Sequence, residues 1–386
     1  MPSHILTYND IDGREWETLV ERSATGTWFQ TPEAYAFYAS QREIMRPFVL
    51  AVRWQQPDGS KQSSDDSSPM SDGSSPMSDG SKQQTLRGVC CGYVTIEKNP
   101  LKQYFTRRAI IIGGPVLADD CSTEEAYTLM QAVRRHLMTD TPSAQSPIYI
   151  ETRNFNNYSK WRNAFECSGD HLSRRPLLPF RWKDAPGFSY QPHLNFHFDC
   201  TNKDAIWTRL SETRRRQINK SVKSGTTIEE ARTEVEITEW YAILSDLYRR
   251  RVKTPLFPLS FFLEFFRQKR GVYLLVKHEG RVIGGMMCPI HAGKCLYEWF
   301  VCGLDTAYKD QYPSVMATWA AMVYAHEHGI PKFDIMGAGV PGVPYGVRDF
   351  KAEFGGTMVE YGRFLHVAKP LLYRIGEAGV AFLKRQ

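Results

Sequence analysis

The densest chemical signal in the 386-residue sequence is a run of positive charge. Arg209, Arg214, Arg215, Arg216, Lys220 and Lys223 stand against one acid, Glu212, and make up nearly the whole formal excess of +6. A basic helix face of this kind suits phosphate oxygens, and it also suits plain solvation. A second knot, Arg249, Arg250, Arg251 and Lys253, adjoins Tyr248 and carries the same two readings. Asp119 and Asp120 end an apolar run, where a carboxylate caps the following helix. Tyr297 and Trp299 lie two apart and so share a strand face, as core or as a cleft wall. Lys351, by periodicity alone, is a solvated helix residue. His193 and His197 share a strand face, while His326 and His328 do not share a helix face. No Cys or carboxylate pattern completes a tetrahedral site, so no metal is expected. GAGVPG (337–342) follows a strand without an immediate helix and reads as a flexible active-site loop rather than a dinucleotide fingerprint. No Ser-His-Asp or Cys-His arrangement stands out, and the eight Cys, none in a C-x-x-C pair, read as reduced buried thiols.

These residues need a scaffold, and the length suggests about two domains at roughly 100–200 residues each. A hydrophobic content of 42% with 23% charged residues fits a globular chain, and the 13% of aromatic residues suffices for two cores with rings left over for clefts. A modest positive excess excludes a histone-like coat for nucleic acid, and no DNA partner is expected. No run of about 18 apolar residues occurs, and the N-terminus lacks a basic region followed by an apolar one, so a cytoplasmic protein is expected. SSPMSDG at 67–73 repeats at 74–80 inside a Ser/Asp/Gly-rich stretch, and residues 58–84 read as a disordered insertion between strands 48–54 and 86–96. Four prolines between Pro176 and Pro192 mark a boundary, giving domains of 1–185 and 190–386. In the first, helices are expected at 15–22 and 122–138 and strands at 109–117 and 147–153. In the second, strand 193–199 precedes a long basic helix at 204–225, with Ile206, Leu210, Ile218 and Val222 as its buried stripe. Helices 239–251 and 257–268, a three-strand meander, helix 314–329, strand 331–337, helix 347–355 and strand 357–367 follow.

This α/β order resembles the GNAT acyltransferase fold, and the chain as a whole resembles the Fem family of peptidoglycan aminoacyltransferases, which have two tandem GNAT-like domains. YGVRDFKAEFGG (345–356) is similar to the family's aromatic turn followed by Phe-Lys and Phe-Gly. TWFQTPEAY (27–35) is similar to its Phe-x-Gln segment, with Tyr35 in place of a Trp, and IGGPVLADD (112–120) to its Gly-Pro-Val strand end with a following Asp. The basic helix 213–225 matches as well. The resemblance implies that Lys351 holds the charged donor end or the developing negative charge, with Phe350 supporting it by packing. It also implies that Asp119 or Asp120 is the general base and that Tyr248 and Arg251 contact acceptor phosphates, while the basic face of helix 205–224 puts Arg214 and Arg215 on the expected substrate surface. The expected activity is transfer of an aminoacyl group from aminoacyl-tRNA to an amine of a cell-envelope precursor, with no tightly bound cofactor. Two alternatives stand: an acyl-CoA-dependent N-acyltransferase, and a catalytically silent member that binds a nucleotide or RNA. Loop 304–314 (LDTAYKDQYPS) has no glycine, and Pro313 has no N–H, which disfavours the CoA pyrophosphate. AFYAS (36–40) lacks the lysine of relatives that use a nucleotide-linked muropeptide, which argues against that acceptor. The amphipathic C-terminal stretch 368–386 is expected to pack on the second domain or to lie on anionic lipid.

Overall fold

The computed structural model describes residues 3–54, 85–166 and 187–385. The expected insertion and most of the proline-rich boundary lie outside these residues.

The first half runs β1 (Ser3–Thr7), α1 (Gly13–Arg22), α2 (Pro32–Ser40), β2 (Met45–Trp54), β3 (Thr85–Thr95), α3 (Pro100–Thr106), β4 (Arg108–Gly113), β5 (Val116–Leu117), α4 (Thr123–Arg135), β6 (Tyr149–Asn154) and α5 (Arg162–Glu166). Local chemistry fixes the helix starts. Asp12 accepts from Arg14 N and Glu15 N at the head of α1. Ser122 and Glu125 form a capping box at the head of α4, which satisfies two N–H groups that the helix leaves open.

The second half runs β7 (Ser189–Gln191), β8 (Leu194–Asp199), α6 (Lys203–Arg209), α7 (Glu212–Lys223), β9 (Thr226–Glu230), α8 (Glu234–Leu247), α9 (Leu259–Arg267), β10 (Gly271–His278), β11 (Arg281–His291), β12 (Cys295–Tyr297), β13 (Phe300–Gly303), α10 (Pro313–Glu327), β14 (Lys332–Asp334), α11 (Gly346–Ala352), β15 (Thr357–Glu360), β16 (Arg363–Val367) and α12 (Pro370–Arg385). The expected basic helix is in fact two. It breaks at Leu210–Ser211, where the Ser211 hydroxyl accepts from Arg214 N and starts α7. A serine that can cap competes with continuing the helix. The break resets the phase: Ile206, Leu210 and Ile218 are buried as expected, but Val222 is 56% exposed and Ser221 points inward in its place.

Two mixed sheets result, with orders β1-β2-β3-β4-β6-β16-β7 and β15-β8-β14-β12-β11-β10-β9; β5 pairs with β3, and β13 with β11. The expected strand 357–367 is divided between them. β15 lies antiparallel to β8, whereas β16 lies antiparallel to β6 and β7. The pivot is Gly362, at φ +61°, where an added Cβ would stand 2.3 Å from the Tyr190 ring. Thus β7 and β16, both beyond residue 185, complete the first sheet.

The surplus rings fill a third core shared by the two halves. Trp28 meets Phe265 edge-on at 5.8 Å, Phe37 meets Phe261 at 5.0 Å, and Phe29 meets Tyr297 at 5.3 Å. All six of these residues are buried. Edge-to-face rings satisfy their quadrupoles while burying large areas. The Phe-x-Gln segment has a structural role here. Gln30, fully buried, donates to Cys91 O and Ile112 O and accepts from Cys91 N, lacing β3 to β4. Helix α12 docks on the first sheet's side rather than on the second domain: Tyr373 packs edge-on against Tyr149 at 5.3 Å, and Lys369 Nζ donates to Ser143 O. Among the described residues no helix is long and apolar enough to cross a membrane.

Candidate active site

A cleft of about 2050 Å³ opens between the two sheets, lined by residues of both halves. Among the residues lining it are those at the point where the chain after β11 divides. β12 pairs in parallel with β14, β13 pairs with β11, and Glu298 and Trp299 occupy the gap between them. Glu298 is 8% exposed, and its Oε1 lies 2.9 Å from Lys351 Nζ. Lys351, also 8% exposed, donates to Ile335 O at 2.8 Å and Gly337 O at 3.0 Å. An ammonium has three N–H donors, and these three acceptors use them all. Lys351 therefore bears on the cleft through its charge, and it fixes the 335–337 turn beside it. Burial pushes the Glu298 carboxyl above the usual carboxylate range and the nearby Asp334 adds to this, against the pull of Lys351.

Asp334, fully buried at the end of β14, accepts from Asn195 Nδ2 and Met336 N at 2.8 Å, and its Oδ2 lies 3.0 Å from His197 Nε2. Burial raises its carboxyl, but His197, Lys332 and Asn195 outweigh that and hold it low. The acid at 298 was missed from sequence. Its signal was a lone carboxylate in the apolar run Cys295–Cys302, a position that demands a buried partner.

Of the expected site residues, Lys351, Phe350, Tyr248, Arg251 and Trp299 line the cleft together. Burial pushes the Tyr248 hydroxyl up to about 12. Phe350 packs on Arg214, whose guanidinium lies 4.3 Å from the ring centroid. Arg214 itself does not line the cleft. Buried at 6% exposure, it bonds Gln217 Oε1 at 2.6 Å and Phe350 O at 3.3 Å, and it stands 3.5 Å from Glu353. It clamps α7 to α11 rather than facing substrate. Arg215, also away from the cleft, donates to Thr208 O. Arg209, Arg216 and Lys220 stand on the exposed surface next to Asp199, Glu212 and Asp310, so acids partly offset the charge of the basic helices there. Tyr297 is core, 1% exposed.

Asp119 and Asp120 are not brought to this cleft, which corrects the expectation of a base there. Both sit in the loop after β5. The Asp119 carboxylate accepts from Ala24 N at 2.8 Å, and Asp120 pairs with Arg87 at 2.9 Å, so both are spent on holding that loop. No group of three or more metal-ligating side chains gathers among the described residues.

A second charged group lies along the same cleft. Glu151 on β6 pairs with Arg153 at 2.9 Å and with Arg363 at 2.8 Å, and Arg363 Nη2 lies 3.0 Å from His193 Nε2. Burial raises the Glu151 carboxyl, but the two guanidiniums outweigh it and hold it at about 2. Burial, with help from Arg363, lowers His193 to about 4. Sequence reasoning missed Glu151, Arg153 and Arg363; Arg363 lies 212 positions beyond Glu151 and reaches it only when β16 crosses into the first sheet.

At the N-terminus of α10 the Asp305 carboxylate accepts from Ser314 N at 3.0 Å and from the Ser314 hydroxyl. The N–H that a phosphate would use there is already held by an anion.

Residues 209–352 match a family model described as an acetyltransferase (GNAT) domain. Among solved structures, FemX is similar over 97% of this chain and 99% of its own, with a TM-score of 0.61 at 14% identity. L-PGS from Bacillus licheniformis is similar over 78% of this chain and 87% of its own, with a TM-score of 0.46 at 12% identity. A tandem GNAT protein from the clavulanic acid biosynthesis pathway covers 94% of this chain and 98% of its own, with a TM-score of 0.48 at 9% identity. No curated protein sequence matches. The chain has the fold of FemX over nearly its whole length, and residues 209–352 of its second half match the GNAT domain.

Proposed function

We propose that the protein transfers an aminoacyl group from aminoacyl-tRNA to an amine of a cell-envelope precursor, without a tightly bound cofactor, in the cytoplasm. The observation that carries this reading is the Lys351–Glu298 pair, buried where β12 and β13 part and lining a cleft of about 2050 Å³. Attack of an amine on an activated ester builds negative charge on the carbonyl oxygen, and Lys351 would stabilise it by turning an N–H from Glu298 toward that oxygen, since all three of its donors are held within the chain. Tyr248, Arg251 and Trp299 supply a wall with hydrogen-bonding, cationic and aromatic character for the acceptor. The similarity to FemX over nearly the whole of both chains supports this reading.

A second reading, acyl-CoA as donor, has the acetyltransferase domain match in its favour. Asp305 weighs against it, because a carboxylate at the head of α10 repels the diphosphate that CoA would place there. The test is incubation with radiolabelled aminoacyl-tRNA or acetyl-CoA together with a cell-envelope extract. Label transferred from the tRNA is expected. Transfer from CoA alone would overturn the donor, and transfer from neither would leave a protein that binds a nucleotide or RNA without chemistry.

A further inference from the structure

The cluster at the first sheet's end of the cleft has more donors than its own acceptors use. Arg153 and Arg363 are register partners on adjacent antiparallel strands, β6 and β16. Like charges placed directly opposite destabilise a sheet, by roughly 0.2–1 kcal/mol on the scale of cross-strand pairs. Glu151 offsets this by pairing with both. One carboxylate then serves two guanidiniums with five N–H donors each. The Arg363 side chain is 25% exposed and its Nε is buried without a partner, while the Arg153 side chain is 36% exposed and lines the cleft. His193, neutral at physiological pH, offers Nε2 to Arg363 and adds no charge. Two cations against one anion leave the group net positive inside the cleft.

The cluster also adjoins the central lysine. A Cβ added to Gly337 would lie 3.5 Å from His193 Nε2, and the carbonyl of Gly337 takes a hydrogen bond from Lys351. At φ +136°, residue 337 has a backbone conformation suited to glycine, and His193 Nε2 lies at ordinary van der Waals distance from where its side chain would start. A small ligand held by the arginines would therefore lie beside the turn that Lys351 fixes.

We propose that Arg153, Arg363 and His193 form a subsite for an oxyanion of the acceptor, a carboxylate or a phosphate, next to the reacting centre. Assigning the anion to the acceptor rests on the acyl-transfer reading; the subsite itself does not. A guanidinium fork matches either oxyanion bidentately, and the two sources are told apart by experiment.

Binding to the full chain at pH 7 would be followed by saturation-transfer NMR with two matched pairs of amine probes. One pair is Nα-acetyl-lysine and Nα-acetyl-lysinamide; the other is phosphoethanolamine and ethanolamine. At least tenfold tighter binding of the anionic member is expected in one pair, and the pair that shows it identifies the anion. Arg363→Gln and Arg153→Gln should each lose that preference, and Arg363→Lys should keep part of it. Circular dichroism checks folding, and the more exposed Arg153 carries the test if the Arg363 variants do not fold. Equal binding within both pairs, or a preference that survives Arg153→Gln, would overturn the subsite. Selective binding by a chain that transfers no acyl group would uphold the subsite and sink the acyl-transfer reading, whereas transfer without anion preference would do the reverse.

Discussion

Replacing Lys351 by Met leaves the Glu298 carboxylate buried beside Asp334 with its cation gone. The two charges stand 2.9 Å apart. At an effective dielectric constant of 20 that contact is worth about 6 kcal/mol before desolvation. Breaking one side of such a buried pair costs about 3–5 kcal/mol in measured cases. The variant can escape by protonating Glu298, and that route bounds the electrostatic loss. Neutralising a glutamate whose ordinary pKa is about 4.3 costs about 2 kcal/mol at pH 6 and about 5 kcal/mol at pH 8. The sign follows from Glu298, which burial already pushes above the ordinary range. The folded state keeps that proton to higher pH than the unfolded state, so its contribution to stability falls as pH rises from the ordinary carboxylate range through the raised value. Removing Lys351 extends that window upward. In urea denaturation followed by circular dichroism, the gap between wild type and Lys351→Met should widen from about 2 toward about 5 kcal/mol between pH 6 and pH 8. Adding Glu298→Gln should remove the pH dependence and recover most of the loss. If the double variant then folds but transfers at least about a hundredfold more slowly than Glu298→Gln alone, the charge of Lys351 acts in the chemistry as well as in the fold. A gap that stays constant with pH, or a double variant no more stable than Lys351→Met, refutes the reasoning.

Three other outcomes follow from the geometry. Asp119→Asn and Asp120→Asn should keep turnover within about twofold in the transfer assay, and loss of the exposed Asp120 carboxylate from Arg87, which keeps Glu125, should cost no more than about 1 kcal/mol. Gln30→Leu should destabilise the chain by at least about 3 kcal/mol in urea, because it leaves Cys91 N, Cys91 O and Ile112 O buried without their partner. His291, 7% exposed, is lowered to about 4 by burial, with Lys294 and Lys332 adding to the shift. The unfolded chain therefore takes up its proton first as pH falls, so stability should be lost between about pH 6.5 and pH 4. His291→Gln should flatten that limb of the stability curve.

What the sequence by itself determined is local. Alternation and helical spacing, capping serines and hairpin glycines set the type of most of the elements named from it, because those signals act within a few residues. The Phe-Lys motif singled out Phe350 and Lys351, and both line the cleft, since an unusual local pattern travels with the chain. Charge density did not carry over in the same way. Six basic residues on one stretch looked like a phosphate surface, yet four of them are paired, three with carboxylates from outside the stretch. The division of strand 357–367 at Gly362, the pairing of Lys351 with Glu298 and the meeting of Glu151, Arg153 and Arg363 were decided only by tertiary structure. Each of these joins groups far apart in sequence. Their energies come from burial and from opposed charges at about 3 Å, which no local window contains.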